Sequence, residues 1–437
     1  MSVSTLAPVF GSRVLDTQAL YEIVSGCIAT HEERLADICA KACGTIHGST
    51  MPSIHDNPEL NYEEYQAHDN ICNLMEGLGY AVTRHAYGLE TSFEVEYGQG
   101  GRLIVFNAEY DALPGLGHSC GHNLIATSSI AAFLATVEAL RDSGVAGRVR
   151  LLGTPAEENG GGKVRLIRAG AYTGVDACLM AHPMGYMPPL DKVQYEGVSA
   201  PRTVALKRVN VSYTGKNAHG GFAPWEGKNA LDAVVASYMN VSLLRQQMPP
   251  TARVNGIIRQ GGAQANIIPD STSMEYYIRE ANAQKLQDLS TRVECCFRAG
   301  AAAAGCGVDC EWLPDLNYMD LVSNIVIARA FTRHMEAFGR KYLEQDSEIM
   351  GASTDMGNVS YETPSFHCSF SVGLNDPLIQ PHTPQFAAAA GTRTALERTL
   401  DCAKGMAATA YDLLVSAGMS SQAWEEFKER FSPSPKP

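Results

Sequence analysis

The chain has 437 residues, more than one core usually accommodates, so two domains are expected. Its 45% hydrophobic content is that of an ordinary globular protein, and a formal net charge of −13 argues against nucleic acid or an anionic membrane as partner. No apolar run reads as long enough to span a bilayer, and twelve cysteines without framework spacing read as reduced and buried.

The opening MSVSTLAPVFGSRVLD lacks a basic region followed by an apolar core, so no secretory signal is expected and the cytoplasm is the expected compartment. Residues 14–48 read as helix, with Leu20, Ile23, Val24, Cys27 and Ile28 at helical spacing. In SIHDNPELNYEEYQAHDNICNLMEGLGY, Pro58 interrupts the pattern and a second helix covers about residues 62–75, stopped by Gly77 and Gly79. His55 and His68 read as surface residues or as supports behind a site. A strand pair, AVTRHAY and SFEVEYG, leads into GRLIVFNAEYDALPGLGHSCGHNLIA.

In that stretch residues 103–106 form an uninterrupted apolar run, the mark of a strand buried on both faces. Beyond its carboxyl end come Glu109, Asp111, His118, Cys120 and His122 among turn formers, and a helix starts near Asn123. Such a strand end is where an open α/β sheet places its ligand site. Cys120 and His122, two apart across a glycine, can reach one ion. The same grammar returns in GRVRLLGTPAEENGGGK, where a strand over Val149, Leu151 and Leu152 ends in Glu157 and Glu158, before a glycine run and a helix over residues 164–171. ACLMAHPM is a third strand, ending in His182. Three strands that deliver metal-capable side chains at their carboxyl ends point to a metal site on one parallel sheet. Cys295, Cys296, Cys306 and Cys310 do not read as a second one, because the first two are adjacent and a helix-like alanine run intervenes.

Over residues 202–315 the order becomes strand-helix-strand-strand-helix-strand: TVALKRVNVSYTG, NALDAVVASYMNVSLLRQQ, RVNGIIRQ, SMEYYIRE, a helix from Ala283 to Ala304, and VDCEWLP. The first helix carries Leu231, Val234, Val235, Tyr238 and Val241 on one face. This is the split unit of a ferredoxin-like domain. The expected fold is therefore α/β: a large catalytic domain with a mostly parallel sheet and helices on both faces, holding an inserted, smaller ferredoxin-like α+β domain. Expected boundaries are 1–201 and 318–430 for the catalytic domain, 202–317 for the insert, and 431–437 for a disordered tail ending SPSPKP. A helix over residues 321–338, the strand SFHCSFSVGL and one long final helix from Ala388 complete the reading.

Nine stretches in order carry a family likeness: HDNPELNYEE, EYDALPGLGHSCGHN, GTPAEENGGGK, MAHP, KNAHGGFAPWEGKNALDA, GGAQANIIPD, YYIRE, ASTDMGNVS and PHTPQF. By them the chain resembles the metallo-aminoacylase and carboxypeptidase family of hippurate hydrolases, indole-acetyl-amino-acid hydrolases and aminobenzoyl-glutamate hydrolase. Within that family it resembles the dipeptidase branch acting on β-alanyl-lysine and related dipeptides. The resemblance implies a zinc-exopeptidase-like catalytic domain with Cys120, His122, Glu158, His182 and His382 as metal ligands. Five ligands suit two divalent ions sharing the Cys120 thiolate; a thiolate favours zinc, with manganese or cobalt as alternatives. It further implies Glu157 as general base, His219 as donor to the oxyanion, Asn266 and Arg279 as substrate-binding residues, and Asp111 as the group that orients a ligand imidazole. Glu109, where the auxin-conjugate hydrolases carry aspartate, reads as a marker of the branch.

The implied activity is metal-dependent hydrolysis of the amide bond of N-acyl amino acids or dipeptides by activated water. A homodimer formed through the inserted domain is expected. Three alternatives stand beside it: a hydrolase with Cys120 as nucleophile, a non-catalytic binding protein on this fold, and amide formation at the same site.

Overall fold

Helix α1 (Thr17–Cys39) starts on Asp16, whose side chain accepts the Ala19 N–H, and is followed by α2 (Tyr65–Gly77). Strands β1 (Val82–Arg84), β2 (Phe93–Gln99) and β3 (Leu103–Ala108) lead to α3 (His122–Ser143). Next come β4 (Gly147–Gly153), α4 (Gly162–Arg168), β5 (Ala177–Met184) and β6 (Gly197–Thr203). The middle of the chain holds β7 (Ala205–Thr214), β8 (Ala218–His219), α5 (Ala230–Leu244), β9 (Arg253–Gln260), β10 (Ile267–Ile268), β11 (Ser271–Glu280), α6 (Ala283–Ala304) and β12 (Gly307–Trp312). It closes with α7 (Ile325–Ala337), β13 (Tyr342–Met350), α8 (Met356–Val359), β14 (Ser365–Ser371), α9 (Pro384–Ala390), α10 (Arg393–Val415) and α11 (Ala417–Phe431). The computed structural model describes residues 13–40, 53–190 and 192–431. Residues 41–48 of the first expected helix, and the tail SPSPKP, lie outside the described residues.

The described chain divides into two compact units, one within Met1–Pro201, Val322–Ser347 and Val359–Pro437, the other within Arg202–Leu321 and Glu348–Asn358. In the first, eight strands run in the order β1-β2-β4-β3-β5-β14-β6-β13. β4, β3, β5 and β14 are mutually parallel, whereas β2 joins β4 and β6 joins β14 antiparallel. All six residues of β3 are buried, as a strand covered on both faces requires. Helices α1, α3 and α10 pack on one another, and α3 and α10 contact the sheet.

Four features depart from the sequence reading. β6 and β13 were not expected, because GVSAPRT carries a proline and YLEQDSEIM lacks clean alternation. The long final helix is three helices, since Thr392 caps α10 through the Ala395 N–H and Ser416 ends it. By length and composition α3 could cross a bilayer, but 94% of its most apolar window is buried inside the protein, so it is a core helix. Finally, α5 buries Ala230, Ala233, Val234, Ser237 and Val241 and leaves Val235 and Tyr238 exposed.

The second unit has a four-stranded sheet, β12-β7-β11-β9, with every pair antiparallel. Taken in chain order these strands lie fourth, first, third, second, the ferredoxin-like arrangement. Its core includes Val209, Val211, Val234, Tyr276 and Phe297 beneath α5 and α6.

Candidate metal centre

Because β4, β3 and β5 are adjacent and parallel, the segments that leave them emerge at one edge of the sheet. Gly121 makes the turn into α3 at φ 77°, and a Cβ there would lie 2.5 Å from Pro183 Cγ. Only glycine fits that turn, which sets Cys120 and His122 beside each other. The segment bearing His382 docks on the same turn, its backbone N–H donating to the Ser119 carbonyl at 2.7 Å. His382 has φ 69°, and Ala156, just before the paired glutamates, has φ 59°. Left-handed backbone at non-glycine residues concentrates at working sites, held there by its surroundings.

The donor atoms converge. Cys120 Sγ is 3.4 Å from His182 Nε2, His382 Nε2 is 3.5 Å from Glu158 Oε1, and His122 Nε2 is 3.8 Å from the same oxygen. Ligands on one tetrahedral ion, with bonds of about 2.0–2.3 Å, stand about 3.3–3.6 Å apart, so these are the spacings of donors that share a cation. Among the described residues of the first unit, three triplets have all their ligand atoms within 4.8 Å of one another: Cys120–His122–His182, Cys120–Glu158–His382 and His122–Glu157–Glu158. Cys120 belongs to two of them.

The hydrogen bonds behind these donors point lone pairs inward. His122 Nδ1 donates to Asp111 Oδ1 at 2.9 Å, and its fully buried Nε2 has no hydrogen-bond partner. Asp111 Oδ2 also accepts the Glu158 N–H at 3.0 Å, so one carboxylate fixes two of the donor residues. His182 Nδ1 donates to the Pro183 carbonyl at 2.7 Å, which turns Nε2 towards Cys120. Burial and the neighbouring His122 push His182 down to about 4, so its imidazole is neutral. Burial, aided by Glu158, raises the Cys120 thiol well above its ordinary value; a bound cation is what would make it a thiolate. Burial works against the charge of Glu158, but His382 and His122 hold its carboxyl below the usual range. An orphaned imidazole nitrogen and these donor spacings fit a divalent metal better than a hydrogen-bonded network.

Of the sequence-derived site residues, Asp111, Cys120, His122, Glu157, Glu158, His182 and His382 come together in the first unit. His219, Asn266 and Arg279 lie in the second. There β8 pairs with β10, and the Gly220 N–H donates to the Asn266 carbonyl at 2.8 Å, so His219 and Asn266 are neighbours. His219 Nδ1 accepts the Gly221 and Phe222 N–H groups at 3.1 and 3.0 Å, which leaves the ring proton on Nε2 as a free donor. Arg279 stands over Tyr277 with no carboxylate partner among the described residues; burial and the nearby Arg208 lower its pKa.

One residue escaped the sequence reading of the centre, and one named there has a further role. Glu109 is more than a branch marker: it is fully buried, ion-paired with the equally buried Lys163, and its other oxygen is 3.5 Å from His122 Nε2. Lys163 was visible only as the end of a glycine run, and nothing local announced its partner 54 residues earlier. His68, expected at the surface or behind a site, is buried in α2 and stacked on His85. Among the described residues, Cys295, Cys296, Cys306 and Cys310 form no group able to hold a metal.

Parallel strands that gather thiol, imidazole and carboxylate at one edge, in a chain that also carries a ferredoxin-like unit, define a metal-dependent hydrolase. The chain belongs to the peptidase family M20/M25/M40, whose description it matches over residues 105–404. It is 40% identical over 396 residues to the Xaa-Arg dipeptidase of Mus musculus, covering 87% of this chain and 88% of that protein. Among solved structures, a putative aminohydrolase from methicillin-resistant Staphylococcus aureus shares the fold with a TM-score of 0.70 at 19% identity, over 90% of this chain and 100% of that one. A dinuclear metal binding peptidase from Bacillus subtilis does so with a TM-score of 0.62 at 19% identity, over 88% and 99%. The chain is thus a peptidase or amidohydrolase that cleaves amide bonds.

Proposed function

We propose that this chain hydrolyses dipeptides and N-acyl amino acids with a free carboxylate, and that dipeptides ending in arginine or lysine are its first class of substrate. The observation that carries the chemistry is the convergence of Cys120, His122, Glu158, His182 and His382, which would hold two divalent ions. Identity to the Xaa-Arg dipeptidase supports the substrate class, and the net charge of −13 favours a cationic substrate.

Divalent ions held by these residues would supply Lewis-acid polarisation of the scissile carbonyl and a water whose pKa is lowered towards about 7. Glu157 takes the proton of the attacking water and returns it to the leaving amine. Asp111 holds His122 and the Glu158 backbone in register. His219 is the proposed oxyanion donor, supported by the proton that its backbone contacts leave on Nε2. Arg279 is the proposed grip on the substrate carboxylate, with Asn266 beside His219 as a further binding residue.

Zinc is the proposed metal, supported by the thiol ligand. Chelation followed by dialysis should abolish hydrolysis of an Xaa-Arg dipeptide, and zinc, manganese or cobalt should restore it. Turnover that survives complete metal removal would instead point to Cys120 as a nucleophile. For Arg279→Ala, kcat/KM should fall about a hundredfold on a free-acid dipeptide, the size of a charge-assisted bond of about 3 kcal/mol, and by less than about threefold on its amide. Equal losses on acid and amide would exclude the carboxylate grip.

A homodimer through the second unit is also proposed. Val235, Tyr238, Met239 and Leu243 form an exposed apolar stripe on α5, and the edge strand β9 exposes Ile257 and Ile258. An unpaired edge beside an apolar helix face suits a second copy of the same strand and helix. In sedimentation velocity the wild type should run as a dimer and the double variant Met239→Glu, Leu243→Glu as a monomer; a monomeric wild type ends this reading.

A further inference from the structure

The motif HDNPELNYEE supplies no ligand, base or donor to the centre, yet it contacts two of the loops that do. The Glu59 carbonyl accepts the Ala112 N–H at 2.8 Å, next to Asp111, while the Glu59 carboxylate accepts the Gln66 and Ala67 N–H groups at the start of α2. Tyr62, itself at φ 63°, donates its hydroxyl to the Gly160 carbonyl at 2.7 Å. Glu64 is fully buried, and its Oε1 accepts the Ala156 N–H at 2.9 Å while Oε2 accepts the Thr91 hydroxyl at 2.7 Å. The segment therefore grips the loop after β4 at both ends, near Ala156 and at Gly160.

Ala156 is where that grip matters. Its left-handed backbone is disfavoured for an alanine by roughly 1–2 kcal/mol, and the next two residues are Glu157 and Glu158. A change of φ at Ala156 swings both carboxylates at once. We propose that Glu64 is a positioning residue which, by holding the Ala156 N–H, keeps Ala156 left-handed and so aims Glu157 and Glu158. The inference rests on the reading of Glu157 as base and Glu158 as metal ligand. Burial and the Asp111 carboxylate push the Glu64 carboxyl up, and glutamine, of the same shape, keeps an oxygen able to accept the Ala156 N–H.

The experiment compares Glu64→Ala and Glu64→Gln in the metal-loaded enzyme, each also in a Glu157→Gln background. Glu64→Ala should lower kcat at least about tenfold with KM within about twofold, and Glu64→Gln should recover most of that loss. In the Glu157→Gln background the same alanine change should cost clearly less, because one of the two carboxylates it aims no longer acts as the base. Hydrogen exchange should speed up in the peptide covering residues 154–162 and stay unchanged in β3 and α3. If Glu64→Ala does not fold, Thr91→Val keeps the volume, frees Glu64 from its hydroxyl and should show the same signature at about threefold. Equal losses in both backgrounds, no rescue by glutamine, or unaltered exchange at 154–162 would each overturn the proposal. A wild type without metal-dependent hydrolysis would sink the assigned chemistry alone, since the exchange measurement reads the Glu64 contact without turnover.

Discussion

Glu157→Gln should retain the fold and its metal and lose kcat by about a thousandfold, equivalent to about 4 kcal/mol of transition-state stabilisation. The side chain is 7% exposed and lies in the His122–Glu157–Glu158 triplet, so an amide of equal size fills the same space. What disappears is the capacity to take a proton from water and hand it to the amine. KM should hardly move, because the base acts on a proton transferred only in the transition state. Steady-state kinetics on an Xaa-Arg dipeptide, with metal content and melting temperature measured on the same preparation, checks each part. Activity within a few-fold of wild type would remove Glu157 from the mechanism. Lost metal would instead make it a ligand.

How legible each feature was follows from its range along the chain. The buried run at residues 103–106, the strand ends at Glu157–Glu158 and His182, and the Cys120–Gly121–His122 turn are local patterns, and periodicity with turn chemistry exposes them. That these three strands share one parallel sheet also followed from their repeated strand–loop–helix order, with β4 and β5 on either side of β3. The ferredoxin-like order was legible for the same reason. Features held by tertiary context were not. β6 and β13 are strands because β14 and the sheet edge offer partners, despite a proline in one and polar residues in the other. The second apolar row of α5 looks like core in a helical pattern, although Val235 and Tyr238 face outward. Glu64 and Ala156 are 92 residues apart, and Lys163 and Glu109 are 54, so no window of sequence could pair them. His382, about two hundred residues beyond His182, was found through the likeness of PHTPQF to a family motif, not by spacing.

Cys120→Ser should strip the centre more completely than His382→Ala. Cys120 Sγ serves both the His122–His182 and the Glu158–His382 triplets, so replacing it weakens both positions, whereas His382→Ala touches one. A serine hydroxyl binds a divalent ion poorly while it keeps its proton, and its shorter bond to carbon withdraws the oxygen from the 3.4 Å approach to His182 Nε2. His382 is also the outermost donor, with its side chain 55% exposed while that of His122 is fully buried, so water can take its place. Metal analysis after gel filtration should therefore find about two ions per chain in the wild type, about one in His382→Ala, and well under one in Cys120→Ser, with turnover of the last below about one thousandth of wild type. The buried imidazole of His122 makes a second readout available: with its Nε2 unligated, the pocket loses a stabilising bond, and Cys120→Ser should melt at the same temperature with or without added zinc. The wild type should gain several degrees on adding it. Equal metal content in Cys120→Ser and His382→Ala would mean that the thiol serves one ion only, and full content in Cys120→Ser would place the metals elsewhere.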